Sequence, residues 1–577
     1  MHTAVLLSLI ACGGGPATTE PAPPTVPDPV AAEGAAETDG PTLATVDFPG
    51  HPAIGEAARD VIGVRFAMVP SWAADSGLPD DAARVPSFTP DAVAALVARL
   101  DARDTELRSL DWDALSRSQQ VDVRWLLANI AMMKQQLTVE KRWDHRPSEW
   151  LEPVANTFIG LTTYAPDRVD IRAHLAALLP AMVAEMEELV RSPTARDVDT
   201  AKDILGGLRL GIEALPPSAD RDAALAALER YELHLSMPAD LPEFKVIGAD
   251  AYAWRLQHAM LSPWTPAQLL RVAETELAAV EAEMTVLEEA MEPAAEATAD
   301  ELKQARELTK EGLLGLYEDM VQDNLTALRR MDVMTIPADL PAIKARETPD
   351  ALVPLTGDGG SMNPPPLFGA QSVGWWNVEH FSPDWPEERR LRSVMNSRRQ
   401  QETWYGPYAV HEGVPGHHLQ LALARSNPNP IRTLLTDNAG VEGWGLYAEQ
   451  LFQENGGFGD APAARYAMLR SYRYRIRRVI YDVKVETEVW SLQQAADFKD
   501  GPGAEVGPEI LRTVQWPTQL IGYFHGKKQI VDLRAEMQQA QGARYTHKAF
   551  HDAVVGAGLI PVSLVRAELL DLPVPAP

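Results

Sequence analysis

Between positions 405 and 420 the chain reads Tyr-Gly-Pro-Tyr-Ala-Val-His411-Glu412-Gly-Val-Pro-Gly-His417-His418-Leu-Gln, three imidazoles and a carboxylate within eight residues. Residues of these types can hold a zinc ion and supply a general base beside it. The zinc-hydrolase pattern His-Glu-x-x-His sets two imidazoles four residues apart on one helical face, with the glutamate placed to take a proton from water. Here the fourth position after His411 is Pro415, and the next histidines follow six and seven residues on. On an ideal helix His417 would lie about 240° round from His411, and His418 within about 20° of it. Pro415 removes an amide and clashes with the preceding turn, and Gly413 and Gly416 add backbone freedom, so an ideal helix is not expected. A local widening of the helix would carry His417 round to the metal. His418 is the alternative ligand.

A third ligand is expected from a later helix. Gly440-Val-Glu442-Gly-Trp-Gly-Leu-Tyr-Ala-Glu449 begins after a loop containing Pro428, Pro430 and Asn438-Ala-Gly440, with Glu442 placed 31 residues beyond His411. That distance accommodates a helix, a turn and a second helix packed back on the first. Glu449 shares the face of Glu442 and is a candidate outer partner, as is Asp437, because ligating histidines usually donate their other N–H to a carboxylate or carbonyl.

The elements that must position these groups are mostly helical. Apolar residues recur at helical spacing from Pro90, over 119–136, 169–190 and 220–233. Thr265 and Pro266 open a long helix to about Met291 as N-cap and first helical residue. A second long helix is expected over 299–330. From Ile336 to Trp385 prolines and glycines break any helix, and Gly374-Trp-Trp-Asn-Val-Glu-His380-Phe reads as a short aromatic strand. Exposed, that strand could accept an extended peptide by strand addition; buried, it would belong to a hairpin with no ligand role. Helical patterns resume at Glu387. The expected fold is mainly α, with a small β element before the metal-binding helix.

Composition narrows the partners. The net charge of −29 over 577 residues argues against nucleic acid, whose phosphates need a basic surface. No apolar run approaches the ~20 residues that span a bilayer. The single cysteine, Cys12, excludes an intramolecular disulfide, a thiolate zinc site and a cysteine nucleophile in the body of the chain. It follows the apolar run 4–11, and Leu9-Ile-Ala-Cys12 resembles a lipobox in which the cysteine is lipidated, although the usual basic residues before the run are missing. The expected organisation is a lipoprotein signal over 1–12, a Gly/Ala/Pro-rich tether over 13–47, a helical region over 48–345 and a metal-site region over 346–577, the last two forming one continuous two-lobed body. The expected location is the cell envelope, with membrane contact only through the lipid. No phosphate-binding loop or Gly-x-Ser-x-Gly elbow is present.

His411-Glu-Gly-Val-Pro-Gly-His-His-Leu-Gln together with Glu442-Gly-Trp-Gly-Leu-Tyr-Ala-Glu449 resembles the DUF885 family, typified by His-Glu-x-x-Pro-Gly-His-His and Glu-Gly-Trp-Ala-Leu-Tyr-Ala-Glu. The resemblance runs from about Leu110 to the C-terminus. It implies a large helical body like the gluzincin metallopeptidases of carboxypeptidase and oligopeptidase type, with His411, His417 and Glu442 as zinc ligands and Glu412 as the base. It also implies that Trp516-Pro-Thr-Gln519-Leu-Ile-Gly-Tyr523-Phe-His525-Gly526 supplies the donor to the developing oxyanion, through Tyr523 or His525. Gly445 stands where the family has alanine, and Glu486 where it often has histidine. The basic run Arg473, Arg475, Arg477 and Arg478 does not share one helical face, so most of it is expected at the surface or in ion pairs, with one member available to bind a peptide carboxylate. The functional expectation is a zinc-dependent hydrolase acting on small peptides. The alternatives are a zinc hydrolase of another amide or ester, and a non-catalytic metal- or ligand-binding envelope lipoprotein.

Overall fold

The helical periodicities become helices at Pro90–Arg108, Arg117–Gln135, Val169–Leu189 and Ala219–Leu235. Thr89, Ser116 and Ser218 each accept a backbone N–H from the first turn, satisfying a donor that no intrahelical carbonyl can reach. The computed structural model describes residues 41–236, 241–292, 295–349, 353, 360–369 and 373–576. The expected signal segment, Cys12 and most of the expected tether lie outside them. The end of that tether belongs to the body instead: Leu43 and Val46 are buried, and Arg59 donates to both their carbonyls.

The elements that build and brace the site follow in chain order. Helix α1 is Pro266–Ala290, with Thr265 as its cap. The expected long helix over 299–330 is two helices, because the Thr309 hydroxyl accepts from Gly312 N and starts a new one. The second of these is α2 (Lys310–Met331). Three short strands follow, β1 (Ala342–Glu347), β2 (Ser361–Asn363) and β3 (Val373–Val378). Their order is β1-β3-β2, with β1 parallel and β2 antiparallel to β3. The aromatic strand is thus the middle one, hydrogen-bonded on both sides. It is not an open edge for a peptide: it pairs antiparallel with β2, its neighbour in sequence, as in a hairpin, and parallel with β1 on its other side. Arg346 on β1 donates to Asn377 on β3, and Asn377 donates to Ser361 and Asn363 on β2, so one polar ladder ties all three strands.

Then come α3 (Tyr405–Glu412), α4 (His417–Ala424), α5 (Asn438–Glu454), α6 (Pro462–Glu486) and α7 (Gly522–Gln541). The main apolar core draws on residues from Leu43 to Val574 and includes Trp444, Tyr447 and Leu451 of α5. Trp125 donates to the Leu435 carbonyl just before α5, and Arg432 pairs with Asp122 and Glu568. The early helices therefore buttress the segment that carries Glu442. The protein is mainly α-helical with a small three-stranded sheet, and among the described residues no helix is long and apolar enough to cross a membrane.

Candidate metal centre

His411 lies in the last turn of α3 and His417 is the first residue of α4, with Gly413-Val-Pro-Gly416 between them. The sequence reading expected one widened helix. The structure has two helices and a tight loop, with the Val414–Pro415 peptide in the cis form. Gly416 N donates to Val410 O at 3.0 Å, and His418 N to Gly413 O at 3.1 Å, folding the loop on itself. A Cβ on Gly416 would lie 2.1 Å from His411 O and 2.2 Å from Val410 O, so only glycine fits there. Trp444 on α5 donates to Pro415 O at 2.9 Å and clamps the loop from the other side.

This folding brings the two rings together, their centroids 4.6 Å apart and nearly perpendicular. Glu442 Oε2 lies 3.4 Å from His411 Nε2 and 3.3 Å from His417 Nε2. Ligand atoms of the three residues fall within 4.8 Å of one another, and all three side chains are buried. Glu449, two turns along α5, sits 2.9 Å from His411 Nδ1 and fixes which nitrogen faces Glu442. The glycine at 445 is placed against the cluster: a Cβ there would come 2.7 Å from His411 Cε1 and 2.9 Å from His417 Cε1. The departure from the family pattern thus touches both rings.

Other candidates lie elsewhere. His418 points to the sheet, with Nε2 2.7 Å from Pro341 O, and burial pushes its pKa down to about 4. As a neutral ring it donates to that carbonyl and ties α4 to the start of β1. Among the described residues Asp437 orients no imidazole. It caps α5 by accepting from Gly440 N at 2.7 Å, and burial raises its carboxyl to about 7. His525 faces away from the cluster, bonded to Ser262 and Gln529 with its edge to Trp264, and burial lowers it to about 4. Two residues on a helix are about 200° apart, so only one of Tyr523 and His525 can face the cluster. That one is Tyr523, whose ring stacks on His411 at 5.9 Å. The approach depends on glycine: a Cβ on Gly443 would meet Gly526 Cα at 2.4 Å, so α5 and α7 cross with bare backbones touching.

The electrostatics are compatible with a bound cation. Burial alone would lower His411, but hydrogen bonds to Glu442 and Glu449 reverse this and hold it up at about 9. Burial opposes ionisation of Glu442, yet both imidazoles hold its carboxyl well below the ordinary range. Burial raises Glu412 above its usual value, against the pull of the two histidines. Its carboxylate makes no hydrogen bond among the described residues, and at 9 % exposure it is the most accessible member of the group. Burial raises the Tyr523 phenol to about 12, which keeps it protonated as a donor. Two ring nitrogens and one carboxylate oxygen converge, with two further carboxylates around them, and these donors are of the types that zinc accepts. No spacing rule announces the part Trp444 plays in clamping the loop between the two histidines; the one signal for it is its place within the second motif.

A family model described as a bacterial protein of unknown function (DUF885) matches residues 70–569. A solved structure of a candidate lipoprotein of unknown function from Shewanella oneidensis superposes with a TM-score of 0.70 at 18% identity, covering 90% of this chain and 99% of that one. A candidate lipoprotein from Colwellia psychrerythraea superposes with a TM-score of 0.68 at 15% identity, with the same coverages. Among curated proteins none matches.

Proposed function

The chain belongs to the DUF885 family, and from that premise and the geometry of its His–Glu cluster we propose a zinc-dependent hydrolase that cleaves peptide bonds in small peptides. The carrying observation is the convergence of His411 Nε2, His417 Nε2 and Glu442 in one buried cluster, with Glu412 next in sequence to the first histidine. In this reading the body is of the zincin type, and His411, His417 and Glu442 hold the metal. Zinc, when bound, supplies Lewis acidity that polarises a carbonyl and makes water more acidic.

The remaining chemistry belongs to the chain's own side chains. Glu412, with a raised pKa and a free carboxylate, takes the proton from the attacking water and delivers it to the departing amine. The Tyr523 hydroxyl, which has no partner among the described residues, donates to the oxygen on which charge develops. Glu449 keeps the His411 ring in place while the charge at the centre changes. The lipobox-like segment around Cys12, together with structural neighbours described as candidate lipoproteins, supports placement at the cell envelope through a lipid anchor.

Glu412→Gln tests the reading. It preserves size and removes the base, so we expect zinc to remain bound and peptide hydrolysis to fall by about 10²–10⁴-fold. Unchanged hydrolysis across a mixed peptide library would remove Glu412 from the reaction.

A further inference from the structure

Helix α6 carries the basic run of the sequence, and the structure separates its members. Arg477 pairs with Glu281 at 2.9 Å. Arg478 pairs with Glu509 through two nitrogens at 2.6 and 3.1 Å and also donates to Tyr474. Arg512 on a neighbouring helix shares Glu509 and bonds Gln519. Arg475 differs from these. It is only 6% exposed, yet among the described residues no carboxylate pairs with it. Among the described residues its one hydrogen bond runs from Nη1 to Ser471 Oγ at 3.1 Å, and its buried Nε has no partner. A buried guanidinium to which no carboxylate is hydrogen-bonded is costly and favours an anion that can accept from it.

Its surroundings point to where that anion comes from. The guanidinium carbon lies 4.9 Å from the Trp404 ring, 5.3 Å from Tyr474 and 5.6 Å from Tyr523. Trp404 and Tyr474 are only half-buried, and they meet edge to face at 6.2 Å. Tyr523 is the shared neighbour: the same ring stacks on His411 at 5.9 Å. The guanidinium therefore stands beside the proposed oxyanion donor, among three aromatic rings.

We propose that Arg475 binds the free C-terminal carboxylate of the substrate peptide, so that the cluster removes a short C-terminal fragment. This rests on the hydrolytic reading above. A guanidinium fork takes a carboxylate through two parallel hydrogen bonds, a geometry lysine cannot copy. An extended residue spans about 3.5 Å, so the stacking distances fit a leaving fragment of about one or two residues. Trp404 and Tyr474 would flank that fragment's side chain.

The test uses the full zinc-loaded chain and matched peptides ending in a free acid or an amide, each with a neutral or an acidic last side chain. For the native protein we expect kcat/KM at least about 30-fold higher for the free acid than for the amide, whatever the side chain. Arg475→Gln should bring the acid-to-amide ratio toward one with zinc content and thermal melting retained, and Arg475→Lys should recover part of it. Equal hydrolysis of acid and amide by the native protein would overturn the assignment, as would an equal loss on both in Arg475→Gln. Amides cleaved well only when the last side chain is acidic would overturn it in favour of a side-chain pocket. Equilibrium binding of the same acid and amide pairs decides the point even without turnover. A preference for the acid that Arg475→Gln abolishes supports the carboxylate site while the hydrolytic reading fails, and no preference overturns the carboxylate site alone.

Discussion

Replacing Glu449 by glutamine removes one negative charge while keeping the side chain's length and an oxygen that still accepts from His411 Nδ1–H. Glu449 is fully buried and His411 is 2% exposed, so solvent screens little of their interaction. A hydrogen bond to a charged group contributes roughly 1.5–3 kcal/mol, against about 0.5–1.5 kcal/mol for a neutral one. The difference, about 1–1.5 kcal/mol, is a loss of roughly tenfold in zinc affinity, the lower end of the ~10–100-fold range for outer partners of ligating histidines. Glu449→Ala, which also opens a cavity, should lie nearer 100-fold. Zinc competition against a chromophoric chelator measures both variants, with circular dichroism as the control on folding. A change below about twofold in Glu449→Gln, with native melting, would refute the idea that this carboxylate supports the metal ligand.

Gly416→Ala should cost about 2–4 kcal/mol in chemical denaturation and abolish zinc binding, because its Cβ would strike two backbone carbonyls; an unchanged midpoint would contradict the loop geometry. Tyr523→Phe should lower kcat by about 10²–10³-fold with zinc affinity kept, whereas His525→Gln should cost only about 1 kcal/mol of stability. Equal kinetic damage from both would show that the donor is misassigned. Glu486, buried beside Asp482 on α6, is raised by that burial to about 8 in the folded protein. A raised folded pKa stabilises below the unfolded value, and the contribution is lost as pH climbs through about 8. Urea melts should therefore show Glu486→Gln gaining on the native chain by up to a few kcal/mol between pH 5 and pH 8.5. An identical stability gap at both pH values would exclude this coupling.

The parts of the site that rest on local rules were legible in the sequence. His411-Glu412 and Glu442 could be paired because a helix, a turn and a returning helix fit the intervening length. Thr265 and Pro266 announced α1 because a cap and a fixed φ act within one turn. The choice between His417 and His418 was not legible, since it depends on the backbone path of Gly413-Val-Pro-Gly416 rather than on any period. Asp437 was misread because a carboxylate preceding a helix serves as a cap, a role its nearness to a ligand helix obscured. The choice between Tyr523 and His525 turns on which face of α7 meets the cluster, and residues two apart on a helix face nearly opposite ways. The crossing of Gly443 on Gly526, the pairing of Arg477 with Glu281 and of Arg478 with Glu509, and the parallel β1–β3 register join segments distant in sequence. Nothing in local composition encodes such partners.

The central claim is that His411, His417 and Glu442 form one metal site. Its most direct test is zinc stoichiometry by mass spectrometry of the purified full chain beside His417→Ala and His418→Ala. The account predicts about one zinc per chain in the native protein, the same in His418→Ala, and almost none in His417→Ala. Zinc retained in His417→Ala but lost in His418→Ala, or no zinc bound by the native chain, would contradict it.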